Sequence, residues 1–151
     1  MEIREVTISD VDDLQELYLR HLTKYPPKEP QTKDNWCKLI EKFIEDKDYH
    51  LIVGIVDEKV VCSVTLVIIR NLTHNLRPYS VMENVVTHCD YRKRGYASEL
   101  IEYASNIARR ENCYKIMLMT GSKRESTLNF YKNNGFSINE KTACLKRLWF
   151  K

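Results

Sequence analysis

Glycine and proline are scarce in this chain, with four of each among 151 residues, which excludes collagen-like and low-complexity structure. No apolar run approaches the roughly 18 residues that span a bilayer. The first residues also lack the basic-then-apolar pattern of a secretory signal. We therefore expect a cytoplasmic protein with no membrane partner, folded as one domain over residues 1–151.

Paired cysteines and a strong charge bias are also missing. The five cysteines show no Cys-x-x-Cys pair and no histidine spacing typical of zinc, so we expect reduced thiols and no metal. A net charge of +3 and the lack of a basic helix face argue against a nucleic-acid partner. The Gly-x-x-x-x-Gly-Lys-Ser/Thr loop of nucleotide-triphosphate enzymes is absent too.

What is present is a hydrophobic pattern that alternates between strand and helix periods, without repeats or linkers. It predicts strands over 2–7, 49–56, 59–69, 79–88, 114–119, 136–139 and 143–150, and helices opening near residue 9 and over 33–45, 95–110 and 122–134. The prediction is an α/β (α+β) fold with a central mixed sheet of about seven strands flanked by four helices. The strand over 114–119 should run parallel to the one over 79–88, because a whole helix separates them.

A basic turn links the strand over 79–88 to the next helix. The first N–H groups of a helix that begins near Gly95 have no helical acceptor and carry the positive end of its dipole, so they suit a phosphate. Arg92, Lys93 and Arg94 add positive charge beside them. Gly95 and Ala97 keep bulky side chains away from the backbone. The pattern predicts a phosphate-binding loop.

Three blocks of this sequence resemble the GNAT superfamily of N-acetyltransferases. Arg92-x-x-Gly95-x-Ala97 is similar to its acyl-CoA pyrophosphate loop, and the segment Asn-Phe-Tyr-Lys-Asn-Asn-Gly-Phe over 129–136 is similar to its closing signature. Glu-Asn-Val-Val-Thr-His over 83–88 and Cys-Tyr-Lys-Ile over 113–116 resemble its glucosamine-phosphate N-acetyltransferase branch. The resemblance implies an enzyme that transfers acetyl from acetyl-CoA to a primary amine of a small molecule.

The resemblance also implies where acetyl-CoA is held: at the end of the fourth strand, the basic turn and the start of the following helix. Cofactor contacts are expected at Val85, Val86, Thr87, Arg92, Lys93, Arg94, Gly95, Tyr96, Ala97, Ser98 and Arg124. Backbone N–H groups near Val85 and Val86 would stabilise the oxyanion if the strand splays from its neighbour. Many relatives carry Asn where this chain has Arg124, so we expect Arg124 to reach a CoA phosphate instead.

The chemistry requires a proton acceptor, because an alkyl amine with a pKa of about 10.4 is mostly protonated and only the neutral form attacks a thioester. Glu83, a carboxylate in an otherwise apolar strand, is the candidate base; its alternatives are a contact to the substrate amine or to neighbouring backbone. By resemblance, Tyr131 gives a hydrogen bond or proton to the CoA sulfur; its alternative is an ordinary core aromatic. Strand alternation places His88 on the face opposite Glu83 unless a bulge intervenes, so we expect it to pack.

The acceptor is expected across the sheet from the cofactor, between the loops over 25–30 and 71–78, with Glu83 and Asn84 contacting it. Arg77 is a candidate anchor for an anionic group, with a solvated surface arginine as the alternative. Amino-sugar phosphates lead the acceptor candidates, followed by amino acids, polyamines and peptide N-termini.

Two further questions stay open at this point. The competing function is a non-catalytic acyl-CoA-binding sensor or regulatory module that keeps the phosphate loop without turnover. The strand predicted over 143–150 would pair either across a homodimer or within the chain.

Overall fold

The computed structural model describes residues 1–148, in two compact units, the first over Met1–Leu118 and the second beginning at Met119. The first unit holds the strands β1 (Glu2–Glu5), β2 (Tyr49–Val56), β3 (Lys59–Ile69), β4 (Tyr79–Thr87) and β5 (Ile116–Leu118). It also holds the helices α1 (Val11–Glu16), α2 (Lys33–Glu45), the single turn α3 (Thr73–Leu76) and α4 (Tyr96–Arg110). A π-helical segment, Leu17–Leu22, continues α1, and α5 (Glu125–Asn133) belongs to the second unit.

One mixed sheet forms the centre of the first unit, in the order β1-β2-β3-β4-β5. The first four strands pair antiparallel, and β5 pairs parallel to β4, as predicted from the helix between them. This parallel ladder is short and joins only Ser80–Met82 to Ile116–Leu118. The boundaries of α2, β2 and β3 match the predicted ones.

One face of the sheet is covered by α4. A Cβ built on Gly54 would lie 2.5 Å from Cys62 Sγ and 2.9 Å from Leu100 Cδ1, so the helix and the sheet are in tight contact there. The apolar stripe predicted for this helix is buried, at Leu100, Ile101, Ala104, Ile107 and Ala108. This face is a filled hydrophobic layer.

The opposite face carries α1, the π-helical segment and α2. Their apolar side chains join the sheet in a core cluster of Val6, Val11, Leu14, Leu17, Ile40, Leu51, Val53, Val60 and Val86. Asp10 stabilises the start of α1. Its carboxylate forms a bidentate ion pair with Arg4, at 2.7 and 2.9 Å, and accepts a hydrogen bond from Thr7 N at 2.7 Å.

The strand and helix counts differ from the prediction: among residues 1–148 there are five strands, not seven, and five helices, not four. The extra helix is α3, where His74 and Asn75 adopt left-handed backbone within the predicted loop. The strand predicted over 136–139 is wrong, because Phe136 N donates to Tyr131 O at 3.1 Å and so closes α5 after Gly135, whose φ is +85°.

The last predicted strand is also wrong over 143–148, where the chain is exposed and irregular; residues 149–150 lie outside the described residues. Residues 143–148 therefore form no strand that could pair across a homodimer. The homodimer itself stays a prediction. No helix of the described chain has the length and apolarity to cross a membrane. All five cysteines are free thiols.

Candidate active site

The fourth strand carries a β-bulge at its centre. Ser63 is in register with Val86 and Thr65 with Glu83, so β4 has one residue more than β3 across the same interval. Asn84, within this interval, has a φ of +54°, a left-handed conformation that asparagine tolerates better than most residues. The bulge bends the strand and moves the alternation of its side chains by one residue.

This shift decides which residues share a face. Glu83 lies across from Thr65 and Val86 across from Ser63, so both point toward the side of α1 and α2. His88 follows Val86 on that side, since its ring lies 4.1 Å from that of His21 in the π-helical segment. The expectation that His88 lies opposite Glu83 is therefore wrong, for the reason that expectation itself named: a bulge intervenes.

His88 is buried within a small polar cluster. Its Nε2 atom lies 3.8 Å from Glu16 Oε1, and the ligand atoms of His21, His88 and Cys89 lie within 4.8 Å of one another, a proximity that the sequence spacing did not indicate. Burial lowers the pKa of His21, and the neighbouring His88 and Arg92 lower it further. These surroundings favour the neutral form of the His21 imidazole.

Beyond the bulge, β4 has a free edge. The ladder to β5 ends at Met82, so among the strands of residues 1–118 the rest of β4 pairs only with β3. His88 N donates to Val61 O at 2.8 Å, and alternation then directs the backbone groups of Val86 toward β3 and those of Val85 and Thr87 toward the free edge. Of the two predicted oxyanion donors, Val85 is the one that presents its N–H on that edge.

The basic turn follows directly. Lys93 and Gly95 have φ values of +61° and +85°, and Gly95 is the N-cap of α4 without a side-chain cap. The first helical hydrogen bond runs from Glu99 N to Gly95 O at 3.1 Å, so the N–H groups of the first turn have no helical acceptor. A Cβ built on Gly95 would meet no atom within 4 Å outside its two chain neighbours, so a side chain at this N-cap position would face open space.

Two of the three cations are tied to the turn itself. Arg92 Nε donates to Thr87 O at 3.1 Å, and Arg94 Nη2 donates to Asp90 O at 3.1 Å while its guanidinium lies over the Tyr91 ring. These bonds fix two guanidinium groups in the turn that leads into α4. The arrangement fits a diphosphate, which needs both donors and positive charge at close range.

A cavity of about 330 Å³ lies between α2 and the sheet, on the face of the sheet to which Glu83 and Val86 point. Aromatic rings form much of it: Tyr18 meets Trp36 edge-on at 6.1 Å, and Phe43 stacks on Tyr49 at 4.0 Å. The remaining lining residues are Leu14, Gln31, Asn35, Leu39, Ile40, Leu51, Thr65 and Asn84. No charged residue is among them.

Glu83 lies next to this cavity. It is half-buried, its cross-strand neighbour Thr65 lines the cavity, and so does Asn84, the next residue along β4. Burial raises the pKa of Tyr49; a hydrogen bond with Thr65 opposes the shift, and the negative charge of Glu83 adds to it. Within residues 1–148 no hydrogen bond or ion pair engages the Glu83 side chain, so the carboxylate is available to a ligand.

The other predicted site residues lie elsewhere. Arg77 donates to Asn112 O at 3.2 Å and Cys113 O at 3.4 Å, at the end of α4, and residues 71–78 are not among those lining the cavity. Arg124 is the N-cap of α5 in the second unit. Tyr131 is on the same helix and packs edge-on against Phe130 and Phe136. The sequence analysis missed Tyr18 and the apolar face of α2, because a helix that lines a cavity has the same periodicity as one that faces a core.

A bulged strand with a free edge, followed by a basic helix N-terminus with open amides, is the arrangement of an acyl-CoA-dependent transferase. Residues 11–136 match the model of the acetyltransferase (GNAT) family, and the chain belongs to this family. It is an enzyme of the acetyl-CoA-dependent N-acetyltransferase class, and the resemblance seen in its motifs is confirmed.

Individual relatives agree with this assignment. The chain is 29% identical over 143 residues to glucosamine 6-phosphate N-acetyltransferase of Trypanosoma brucei brucei, covering 93% of this chain and 92% of that protein. An acetyltransferase structure from Trypanosoma brucei has a TM-score of 0.81 at 26% identity, covering 97% and 99% of the two chains. A transcriptional regulator of Bacillus halodurans C-125 shares the fold, with a TM-score of 0.85 at 24% identity over 97% and 99%.

Proposed function

We propose that this chain transfers the acetyl group of acetyl-CoA to the primary amine of a small molecule by direct attack of the amine on the thioester. The observation that carries the proposal is the continuity of three features along one stretch: the free edge of β4, the basic turn and the open N-terminus of α4. Family membership supports acetyl-CoA as the donor.

In this proposal the diphosphate of CoA binds the amides at the start of α4 and the cations of Arg92, Lys93 and Arg94. The pantetheine arm pairs with the free edge of β4 at Val85 and Thr87, as an added strand would. Arg124 is proposed to bind a CoA phosphate. Acetyl-CoA supplies the activated acetyl thioester, and the residues of this chain bind and orient it.

Glu83 is proposed as the general base. Its carboxylate takes a proton from the ammonium, and the neutral amine attacks the thioester carbonyl, forming the C–N bond and a tetrahedral oxyanion. The intermediate collapses with cleavage of the C–S bond, and the second proton of the attacking nitrogen passes to the CoA thiolate, which leaves as the thiol. The N–H of Val85 donates to the oxyanion. Tyr131, assigned from the closing signature, donates a hydrogen bond to the leaving sulfur; full proton transfer from a phenol of pKa about 10 to a thiolate of pKa about 8.5 is uphill by roughly 2 kcal/mol.

The proposal is tested by calorimetric titration of acetyl-CoA into the wild type, Gly95→Val and the matched control Gly135→Val. Both glycines have a φ of +85° and open surroundings, so the backbone strain is the same in both variants. Only Gly95→Val adds a branched side chain at the N-cap of α4, next to the proposed diphosphate site, and we expect it to lose about tenfold or more in affinity, the loss of one charge-assisted hydrogen bond.

Free thiol released with a panel of primary amines then measures turnover. The wild type should release thiol with at least one amine. Failure to bind millimolar acetyl-CoA would overturn the proposal. Binding without thiol release from any amine would favour the sensor or regulatory module, a function also suggested by the regulator that shares this fold.

A further inference from the structure

We infer that the acceptor is an arylalkyl primary amine, whose ring fills the aromatic cavity between α2 and the sheet while its amine reaches Glu83. This inference rests on the proposed function. It differs from the amino-sugar phosphate that leads the candidates from sequence.

The lining of the cavity is largely apolar and therefore favours a ligand with an aromatic ring. Trp36, Phe43, Leu39 and Ile40 present apolar side chains from one helix, and Leu51 does so from β2. Burying a ring against such a surface is favourable in proportion to the apolar area removed from water. A cavity of about 150 Å³ admits benzene, so one of about 330 Å³ admits a ring together with a short alkyl chain.

Several polar groups of the lining are already engaged within the chain. Asn35 Nδ2 donates to Gln31 Oε1 at 2.8 Å, and the Tyr18 hydroxyl lies 3.4 Å from Ser63 Oγ. A sugar has a hydroxyl on nearly every carbon, and each one buried without a partner costs free energy. The lining groups that are already engaged are not available to sugar hydroxyls, whereas the apolar side chains of α2 and Leu51 suit a ring.

The charges point the same way. No lysine or arginine lines the cavity, and Arg77, the arginine predicted to hold an anionic group, donates to backbone carbonyls at the end of α4. A phosphate monoester would enter without a cation to neutralise it. The nearby charge is the carboxylate of Glu83, which attracts an ammonium and repels a phosphate.

The polar end of the cavity is the β4 bulge. Thr65 and Asn84 line it there, and Glu83 lies next to both, across from Thr65 in the strand register and directly before Asn84 in β4. An amine on a short chain from the ring therefore lies at Glu83, on the strand whose free edge is proposed to hold the thioester. The geometry brings the ring and the reacting nitrogen to opposite ends of one cavity.

The test compares 2-phenylethylamine, ethanolamine and glucosamine 6-phosphate as acceptors, by thiol release from acetyl-CoA. We expect kcat/KM for 2-phenylethylamine to exceed both others by about tenfold or more, the effect of burying one ring. Binding of 2-phenylethylamine without acetyl-CoA is measured separately by calorimetry, which detects occupancy of the cavity independently of turnover.

Two variants locate the binding site. Leu39→Gln changes a cavity residue that is 51% exposed, so the fold should tolerate it, and Leu72→Gln makes the same change at an 88% exposed residue of the 71–78 segment. Leu39→Gln should weaken 2-phenylethylamine binding by about threefold or more, and Leu72→Gln should leave it unchanged. Trp36→Ala should weaken it further, with partial rescue by Trp36→Phe.

The possible failures are distinguishable. If acetyl-CoA binds but glucosamine 6-phosphate is the better acceptor, the inference is overturned and the proposed function stands. If Leu72→Gln weakens amine binding and Leu39→Gln does not, the cavity is not the acceptor site. If acetyl-CoA does not bind at all, the proposed function fails, and the acceptor role of the cavity fails with it even where 2-phenylethylamine binds.

Discussion

The two faces of the central sheet are built from similar residues and packed in different ways. On the α4 face the helix lies directly on the sheet, and Leu100 is 1% exposed. On the α2 face the helix is equally amphipathic, yet Leu39 is 51% exposed and a cavity separates part of the helix from the strands. Both faces bury a hydrophobic core, and the face under α2 also leaves room for a ligand beside the bulge of β4.

The largest expected effect of a substitution is on catalysis, at Glu83 on the face of the sheet covered by α1 and α2, the open face. Glu83→Gln keeps the size of the side chain but removes the group proposed to accept the proton, so kcat/KM should fall by about 10²–10⁴-fold. Steady-state thiol release measures it, with Glu41→Gln, exposed on α2, as the control. A Glu83→Gln enzyme with unchanged kcat/KM would show that Glu83 is a structural residue.

Substitutions on the face of the sheet covered by α4, the filled face, should lower the free energy of unfolding. Leu100→Ala removes a fully buried side chain and leaves a cavity, so the free energy of unfolding should fall by about 2–5 kcal/mol. Leu39→Ala removes the same atoms from a half-exposed position on the open face and should cost less than about 1 kcal/mol. Urea denaturation of both variants makes the comparison, and equal losses would contradict the difference between the faces.

A smaller loss is expected where the filled face has no spare volume. Gly54→Ala adds one methyl group that would stand 2.5 Å from Cys62 Sγ and 2.6 Å from Met1 Sδ. Overpacking of this kind costs about 1–3 kcal/mol. The melting temperature of Gly54→Ala measures the loss of stability, with Gly121→Ala at an open position as control. An unchanged melting temperature would show that α4 and the sheet can move apart enough to accommodate the methyl group.

An effect of similar size is expected at Asp10, whose side chain hydrogen-bonds Arg4 and Thr7 at the start of α1. Burial by itself raises the pKa of Asp10, but the hydrogen bonds from Arg4 and Thr7 outweigh it and hold the pKa below its ordinary value of 3.8. Asp10→Asn should therefore cost about 1–3 kcal/mol at neutral pH.

This contribution has a defined pH dependence. Because the folded pKa is depressed, the stabilisation is complete above about pH 4 and is lost as the pH falls through the folded value. The difference in unfolding free energy between wild type and Asp10→Asn should shrink over that acidic range. The exposed pair of Asp12 with Lys33 is the control, and Asp12→Asn should cost less than about 1 kcal/mol.

Sequence reasoning recovered the elements that local chemistry determines. The helical spacing of Trp36, Ile40 and Phe43 predicted α2, and the two-residue connection 57–58 predicted the hairpin of β2 and β3. The structure adds the cap at Thr32 and left-handed backbone at both residues of the connection. The strands predicted over 136–139 and 143–148 were wrong. A strand forms only where a neighbouring strand accepts and donates its backbone hydrogen bonds, and an apolar pattern does not identify that neighbour.

By itself, the sequence determined the family, the order of most elements and the basic turn before α4, because these depend on residues close together along the chain. Only the tertiary structure decided that β4 bulges at Asn84, that Glu83, Val86 and His88 consequently share a face, and that α2 stands off the sheet to enclose a cavity. Register and helix-to-sheet distance are set by contacts between residues far apart in sequence, so no local pattern carries them.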